Sequence, residues 1–241
     1  MPLLAGVAIV AAAVMGWEWS RLTDRSVFGA AGAVVVVAEV AGVAVAALGW
    51  PVAAVAILLA GAAVRLVWSA TDGGAKVWAA LGALCIGAPC VALLWLAADP
   101  ATGRATVLWI FGLVWATDSA AYIVGRLVGG PRLAPRWSPK KTWSGALAGI
   151  AAAGVVGAIT ANILGISILS PVLWVSMGLS VAAQFGDLAE SAAKRRFGVK
   201  DTSGLIPGHG GLLDRLDGML AALVLAAILD LARGASPVMW S

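Results

Sequence analysis

Residues Ser191 to Asp217, SAAKRRFGVKDTSGLIPGHGGLLDRLD, carry the side chains in this chain that are best suited to chemistry. The segment contains a cluster of lysines and arginines, the only histidine, several glycines and two aspartates one helical turn apart. Only 12% of all residues are charged and 61% are hydrophobic, so a charge cluster of this density requires an explanation. A solvated loop between two helices would account for the charges but not for their order.

The carboxylates around this segment are accompanied by cations. Helical spacing predicts that Asp187 and Ser191 share one stripe with Lys194 or Arg195. Asp214 and Asp217 begin the last apolar helix. Carboxylate oxygens bind Mg²⁺, and Lys and Arg neutralise phosphate charge, so the pattern indicates magnesium-dependent phosphoryl or nucleotidyl transfer. Zinc is not favoured, because the chain has one histidine and two cysteines. The glycines form no G-x-x-x-x-G-K-[ST] motif, which argues against a P-loop.

A second polar region lies upstream, in TDSAAYIVGRLVGG and PRLAPRWSPKKTWSGAL. Asp118 is either a buried structural hydrogen-bond acceptor or a carboxylate that faces the same cavity as the later acids. Three prolines break the helix after it and predict an ordered loop that leads into the next helix. Four residues of this loop would lie at that helix N-terminus, where anions are favoured: Ser138, Lys140, Lys141 and Thr142. The alternative is that the lysines only anchor the chain at the membrane surface.

The elements that position these residues are transmembrane helices. The mean hydropathy is +0.97, and the apolar stretches approach the roughly 20 residues that span a bilayer. We predict an all-α, polytopic helical bundle of about eight spans and a single domain over 1–241, with 1–100 mainly scaffold and 105–233 catalytic. The spans are expected at about 3–17, 27–49, 51–69, 76–98, 105–127, 143–164, 168–187 and 212–233. The short first stretch is interpreted as a retained helix with Trp17 and Trp19 as interface anchors, because it lacks the basic start of a signal peptide.

Alternation of eight spans places nearly all Lys and Arg residues on one side of the membrane. Only Arg104 and Arg233 fall on the other side, so the positive-inside rule assigns the basic side to the cytoplasm and both termini to the opposite side. The loops 127–142 and 188–211 then share the cytoplasmic face. We expect that they can form one site there.

These motifs resemble the phosphatidate cytidylyltransferases, also called CDP-diacylglycerol synthases. The order S-x-x-K-R-x4-K-D-x-S-x2-I-P-x-H-G-G-L-x-D-R-x-D from Ser191 to Asp217 is similar to that family's signature. The shorter motifs D-x-x-A-Y-x-x-G-R from Asp118 and S-P-K-K-T-W from Ser138 resemble it in the same order. Ser144 stands where the family usually has Glu, and the N-terminus is expected to be shorter than usual by about one span.

The resemblance implies transfer of the cytidylyl group of CTP to phosphatidate, giving CDP-diacylglycerol and pyrophosphate in phospholipid biosynthesis. It implies Mg²⁺, together with a second monovalent or divalent cation, and an active site on the cytoplasmic face of a bacterial inner membrane. The expected metal ligands are Asp187 and Asp214, supported by Asp217 and Asp118. The expected catalytic residues are Asp187, Asp214, Lys194 and Lys200. The expected substrate-binding residues are Ser138, Lys140, Lys141, Thr142, Arg195, Asp201, His209, Gly210, Gly211 and Arg215.

Two other functions compete with this one. An ion-coupled transporter would use intramembrane acids such as Glu39 and Asp118, but it predicts acids spread through the midplane rather than gathered at one face. A CTP-dependent polyprenol or lipid kinase would need the same metal and phosphate groups and would release CDP rather than pyrophosphate. The expected partners are CTP, phosphatidate, membrane lipids and a second copy of the chain as a homodimer. Nucleic acid is not expected.

Overall fold

A computed structural model describes residues 1–24, 28–68, 73–165 and 171–232. These residues form eight α-helices and one two-stranded antiparallel hairpin, so the predicted all-α architecture is confirmed. The helices are α1 (Pro2–Thr23), α2 (Ala30–Ala47), α3 (Pro51–Val67), α4 (Gly73–Ala97), α5 (Gly103–Leu127), α6 (Trp143–Ile163), α7 (Pro171–Arg196) and α8 (Leu213–Ala232). The strands are β1 (Arg132–Ala134) and β2 (Ser138–Thr142).

Each predicted span coincides with a helix. Among the described residues, six helices are long and apolar enough to cross a membrane: α1, α2, α4, α5, α6 and α7. Helix α3 is apolar but has 17 residues, and α8 has 20 residues but carries four charged side chains. Residues 27, 69, 168–170 and 233, at the ends of predicted spans, lie outside the described ranges, as does Arg233 itself. Many large apolar side chains on the spans are exposed, as expected for helix faces that contact lipid.

Contacts between residues divide the chain into two compact units. The single domain over 1–241 stays a prediction. The first contains Met1–Ala98 and Ala193–Leu216, and the second contains Asp99–Ala192 and the chain from Asp217 onward. The segment 193–216, predicted to be catalytic, therefore belongs with the helices that were predicted to be scaffold. This grouping arises because side chains of the first helices bind the segment directly, as described below.

In the first unit, small residues allow helices to approach closely. A Cβ atom at Gly16 of α1 would overlap the carboxylate of Glu39 on α2, and a Cβ atom at Gly61 of α3 would overlap Ala38. Close approach at small residues is a common way for transmembrane helices to pack. Arg65, near the end of α3, forms an ion pair with Asp24, which follows α1. This pair ties the ends of two helices that are not adjacent in the sequence.

Helix α1 is longer than the predicted span, because it continues through Trp17, Glu18 and Trp19 to Thr23. Trp19 is buried and its indole N–H donates to the carbonyl oxygen of Trp78 at 2.8 Å. The aromatic interface anchor at this end of α1 stays a prediction. The polar end of the helix is held by contacts within the protein.

In the second unit, α5 and α6 pack against each other through Gly125 and Gly145. A Cβ atom at Gly145 would lie 2.6 Å from the carbonyl oxygen of Ala121 and 3.2 Å from the Cα atom of Gly125. Helix α5 is also joined to α7 by buried hydrogen bonds. The indole N–H of Trp109 donates to Ser176 Oγ at 3.0 Å, and the hydroxyl group of Thr117 donates to that of Ser180 at 2.9 Å. These contacts fix the helices that carry Asp118 and Asp187.

Candidate active site

The proline-rich loop before α6 folds into the hairpin of β1 and β2. Ser138 pairs with Ala134 and Thr142 pairs with Arg132, so the lysines lie on a strand rather than on an irregular loop. The next residue begins α6, and Thr142 is its N-cap: its Oγ1 accepts the N–H of Gly145 at 3.2 Å. The predicted placement of Ser138–Thr142 at a helix N-terminus is confirmed. The prolines concealed the strand, because they remove ladder donors and usually indicate loops.

Lys141, Asp187 and Asp118 form one charged cluster in the second unit. The ammonium group of Lys141, on β2, forms an ion pair with the carboxylate of Asp187, on α7. Asp118, on α5, is close enough to interact electrostatically with both groups. The hydroxyl group of Ser191 donates to the other Asp187 oxygen at 3.4 Å. Asp187 lies more than two turns before the end of α7.

Ser144, the departure from the family pattern, contributes to the same hairpin. Its hydroxyl group donates to the carbonyl oxygen of Gly129 and shares a 3.0 Å hydrogen bond with Thr142 Oγ1. The side chain therefore fastens the chain that enters the hairpin to the first turn of α6. A neutral hydroxyl group is sufficient for that contact.

In the first unit, Asp214 is the centre of a hydrogen-bond network. Its Oδ2 atom accepts the Thr202 N–H at 2.9 Å, the Thr202 hydroxyl group at 2.9 Å and the Gly211 N–H at 2.7 Å. Its Oδ1 atom accepts the Lys194 ammonium group at 2.6 Å. The carboxylate is buried. Its hydrogen bonds tie the end of α7 and both ends of the segment 202–211 to the first turn of α8.

These donors determine the ionisation of Asp214. Burial by itself would raise its pKa, because it penalises the charged form. The Lys194 ammonium group and the amides of Gly211 and Thr202 stabilise the charged form more strongly. The pKa of Asp214 therefore lies below its ordinary value of 3.8, and the group is a carboxylate at neutral pH.

The same segment is held from a second side by Glu18, which the sequence analysis did not select. Glu18 is fully buried; its Oε1 atom accepts the Ser203 hydroxyl group at 2.6 Å and the Leu212 N–H at 2.9 Å. Its Oε2 atom accepts the Leu213 N–H at 2.8 Å. The available signal was a charged residue between two tryptophans of an apolar helix, because a buried charge requires partners.

The remaining predicted site residues are mostly on the surface. Asp217 is half-buried on α8, and its Oδ1 atom accepts the N–H of Gly218 at 2.7 Å. His209 has its Nδ1 atom 3.2 Å from the carbonyl oxygen of Pro207, and Gly210 adopts a φ of 80° beside it. The exposed predicted residues are Lys140, Arg195, Lys200, Asp201, His209 and Arg215.

The residues differ in how well they suit a magnesium ion. Asp118 and Asp187 fit: their charges repel each other, one lysine offsets only part of that charge, and Mg²⁺ is commonly held by one or two carboxylates plus substrate phosphates. Asp214 fits less well, because its two oxygens already accept four protein donors at 2.6 to 2.9 Å. Within the described ranges, no three His, Cys, Asp or Glu side chains are grouped to hold a metal ion. Metal binding by Asp214 and Asp217 stays a prediction.

Comparison with known proteins identifies the family of this chain. The profile of the cytidylyltransferase family matches residues 2–231, which covers all eight helices except the last residue of α8. The chain belongs to the cytidylyltransferase family. This membership confirms the resemblance seen in the Ser191–Asp217 signature and in the two motifs upstream of it.

Curated relatives within the cytidylyltransferase family carry a more specific name. A phosphatidate cytidylyltransferase of Brucella suis biovar 1 (strain 1330) is 45% identical over 175 residues, which are 71% of this chain and 63% of the relative. The phosphatidate cytidylyltransferase of Haemophilus influenzae (strain ATCC 51907 / DSM 11121 / KW20 / Rd) is 45% identical over 136 residues, 52% of this chain and 45% of the relative. That of Rickettsia bellii (strain RML369-C) is 38% identical over 147 residues, 58% of this chain and 63% of the relative. The match thus spans less than two thirds of the length of these relatives.

Proposed function

We propose that this protein is a phosphatidate cytidylyltransferase, which converts CTP and phosphatidate into CDP-diacylglycerol and pyrophosphate. In this reaction a phosphate oxygen of phosphatidate forms a bond to the α-phosphorus of CTP, and the bond between that phosphorus and the bridging oxygen of pyrophosphate breaks. The proposal is supported by membership of the cytidylyltransferase family and by the names of the curated relatives. The structural observation that carries it is the Lys141, Asp187 and Asp118 cluster.

The chemistry of the reaction matches what this cluster can supply. The attacking phosphate is already anionic, so no strong general base is needed, and catalysis depends on orientation and on neutralising the charge of the leaving pyrophosphate. Lys141 is a cation held beside two carboxylates, and the exposed Lys140 follows Pro139 on the same strand. Both lysines directly precede the N-terminus of α6, where anions are favoured. We assign phosphate binding to this strand and helix start.

Asp118 and Asp187 are the residues that would hold Mg²⁺. When bound, the ion would offset the negative charge of the triphosphate and act as a Lewis acid on its oxygens. Lys141 then has two roles: it balances Asp187 in the absence of substrate, and it binds phosphate in its presence. The exposed cations Lys200, Arg195 and Arg215, with His209, Gly210 and Gly211, are assigned to nucleotide binding. A second cation stays part of the proposal.

The hydropathy and the charges support a location for the enzyme. Apolar helices make the chain an integral membrane protein. The concentration of Lys and Arg in the hairpin and around 194–215 supports a cytoplasmic active site. The curated relatives come from bacteria, which supports the bacterial inner membrane as the location. A homodimer is also proposed on the sequence prediction alone.

The decisive experiment is an assay of the purified full-length protein in detergent micelles with radiolabelled CTP and phosphatidate. We expect CDP-diacylglycerol and pyrophosphate in equal amounts, and no product after chelation of divalent metal until Mg²⁺ is added back. Asp187→Asn should abolish product formation, whereas Asp99→Asn, in the turn between α4 and α5, should not. No lipid product in the presence of Mg²⁺ would refute the proposal.

The nucleotide product separates the proposed reaction from the competing kinase reaction. Label on the α-phosphate of CTP would enter the lipid in a cytidylyl transfer. Label on the γ-phosphate would enter the lipid, with release of CDP, in a kinase reaction. Incorporation of γ-label with phosphatidate or a polyprenol as acceptor would replace our assignment by the kinase.

A further inference from the structure

The segment 202–212, here called the glycine loop, has little regular structure of its own. Its one backbone bridge joins Ile206 and Gly210, and the exposed tip contains Gly208 and His209. The conformation of such a loop is determined by the side chains that bind its ends, because few of its own backbone groups pair with each other. Two buried carboxylates do this: Asp214, which follows the loop, and Glu18, which precedes it by more than 180 residues.

Glu18 binds the C-terminal end of the loop and the start of α8. The first N–H groups of a helix have no partner within that helix, and a carboxylate at the N-terminus satisfies them and interacts favourably with the helix dipole. Oε2 accepts the N–H of Leu213, the first residue of α8, and Oε1 accepts the N–H of Leu212 just before it. Glu18 is therefore an N-terminal cap that is supplied by a different helix.

Glu18 also binds the N-terminal end of the glycine loop through Ser203, whose hydroxyl group donates to Oε1 at 2.6 Å. The approach is so close at Gly211 that a Cβ atom there would lie 2.7 Å from Cδ of Glu18. The carboxylate is fully buried, so water does not compete for these hydrogen bonds. One side chain of α1 thus fixes both sides of a loop whose tip is exposed.

We propose that Glu18 is a positioning residue for nucleotide binding: it holds the glycine loop in the conformation that receives CTP. The inference rests on the proposed function, in which His209, Gly210 and Gly211 contact the nucleotide. Glu18 is buried and does not touch the substrate itself. Its effect is to fix the spacing between the tip of the loop and the start of α8, so that nucleotide binding carries no additional cost of ordering the loop.

Glu18→Gln tests this role with almost no change in size. The side-chain NH₂ group of the glutamine would replace one carboxylate oxygen and would face an N–H or O–H group that donates to Glu18 in the wild type. At least one hydrogen bond is therefore lost, and two donors face each other. We expect the KM for CTP to rise about tenfold or more, while the KM for phosphatidate changes by less than about twofold. Glu39→Gln is the matched control, because Glu39 is equally buried in the same unit and accepts no hydrogen bond from the described residues. It should leave both KM values unchanged.

Hydrogen–deuterium exchange of the purified full-length proteins gives a readout that does not depend on turnover. Glu18→Gln should increase exchange at Leu212 and Leu213 and leave α5 and α6 unaffected. An unchanged KM for CTP, or an equal loss for both substrates together with a lower thermal midpoint, would overturn the inference. A wild-type protein without CTP turnover would refute the proposed function instead. In that case the exchange data would still decide whether Glu18 holds the loop.

Discussion

The ammonium group of Lys141, on β2, forms an ion pair with the carboxylate of Asp187, on α7. The two residues are far apart in the sequence. The pair joins the only hairpin of the described residues to α7, the helix in which the Ser191–Asp217 signature begins. Because Asp118 also acts on this pair, the balance of charge at the cluster depends on one lysine.

Replacement of Lys141 by methionine should therefore reduce catalysis without unfolding the hairpin. Methionine keeps most of the length of the side chain but removes the cation that binds phosphate and offsets Asp187. We expect the rate of CDP-diacylglycerol formation to fall by about 100-fold, the usual effect of losing one preorganised group that stabilises developing charge. Lys76→Met, at the start of α4, is the control and should stay within about twofold of wild type. A Lys141→Met protein with full activity would contradict the assignment.

The lowered pKa of Asp214 predicts a loss of stability in acid. A carboxyl group whose pKa is lower in the folded protein stabilises it fully above the pKa of the unfolded chain, about 3.9, and loses that contribution as the pH falls through the folded value. The thermal midpoint of the wild-type protein should therefore drop below about pH 4 more steeply than that of Asp214→Asn. Asp201→Asn, at an exposed aspartate of the adjoining loop, should follow the wild-type curve.

Parallel curves for wild type and Asp214→Asn would show that the network around Asp214 does not favour its ionised form. At neutral pH, Asp214→Asn should also be the less stable protein. It removes the ion pair between Asp214 and the half-buried Lys194 ammonium group, and losing a hydrogen bond to a charged group typically costs about 1.5–3 kcal/mol.

Gly211→Ala should destabilise the glycine loop. The added methyl group would overlap the carboxylate of Glu18 and the hydroxyl group of Thr202, both of which are held by hydrogen bonds. Overpacking of this kind costs about 1–3 kcal/mol, so the thermal midpoint should fall by several degrees. Gly204→Ala, in the same loop, has open space around its Cβ position and should have no effect. Equal midpoints for the two variants would contradict the close approach of Glu18.

Gly145→Ala should separate α5 from α6. Its methyl group would lie 2.6 Å from the backbone oxygen of Ala121, and neither backbone can yield without displacing the helix. We expect a loss of stability of about 1–3 kcal/mol in a detergent unfolding assay. Gly112→Ala, at an open position of α5, should be neutral or stabilising, because alanine has the higher helix propensity. A neutral Gly145→Ala would show that these helices are not in close contact there.

The helices were predictable because lipid imposes a strong local rule: a spanning segment must be apolar over its whole length. The hairpin was not predictable, because Pro131, Pro135 and Pro139 are typical of loops and the pairing of Ser138 with Ala134 is a tertiary outcome. The length of α1 was underestimated for a related reason. Glu18 would end a span in lipid, but here it is buried by donors that lie elsewhere in the chain.

The charged site shows the same division. Asp118, Lys141 and Asp187 were selected from the types and spacing of residues, and the structure brings them together. The partners of Asp214 were only partly predictable: Lys194 and Gly211 were named, whereas Thr202 was not, because a threonine in a loop carries no distinctive signal. Glu18 was missed because periodicity and motif spacing describe near neighbours, and its three partners lie at Ser203, Leu212 and Leu213.

The contact between Glu18 and the start of α8 has a consequence for biogenesis. A chain is made from its N-terminus, so Glu18 enters the membrane long before Ser203, Leu212 and Leu213 leave the ribosome. Until then, the Glu18 side chain on α1 has none of its final donors. The glycine loop can acquire its finished shape only after the start of α8 has been made, and long-range closure of this kind is a slow step in folding.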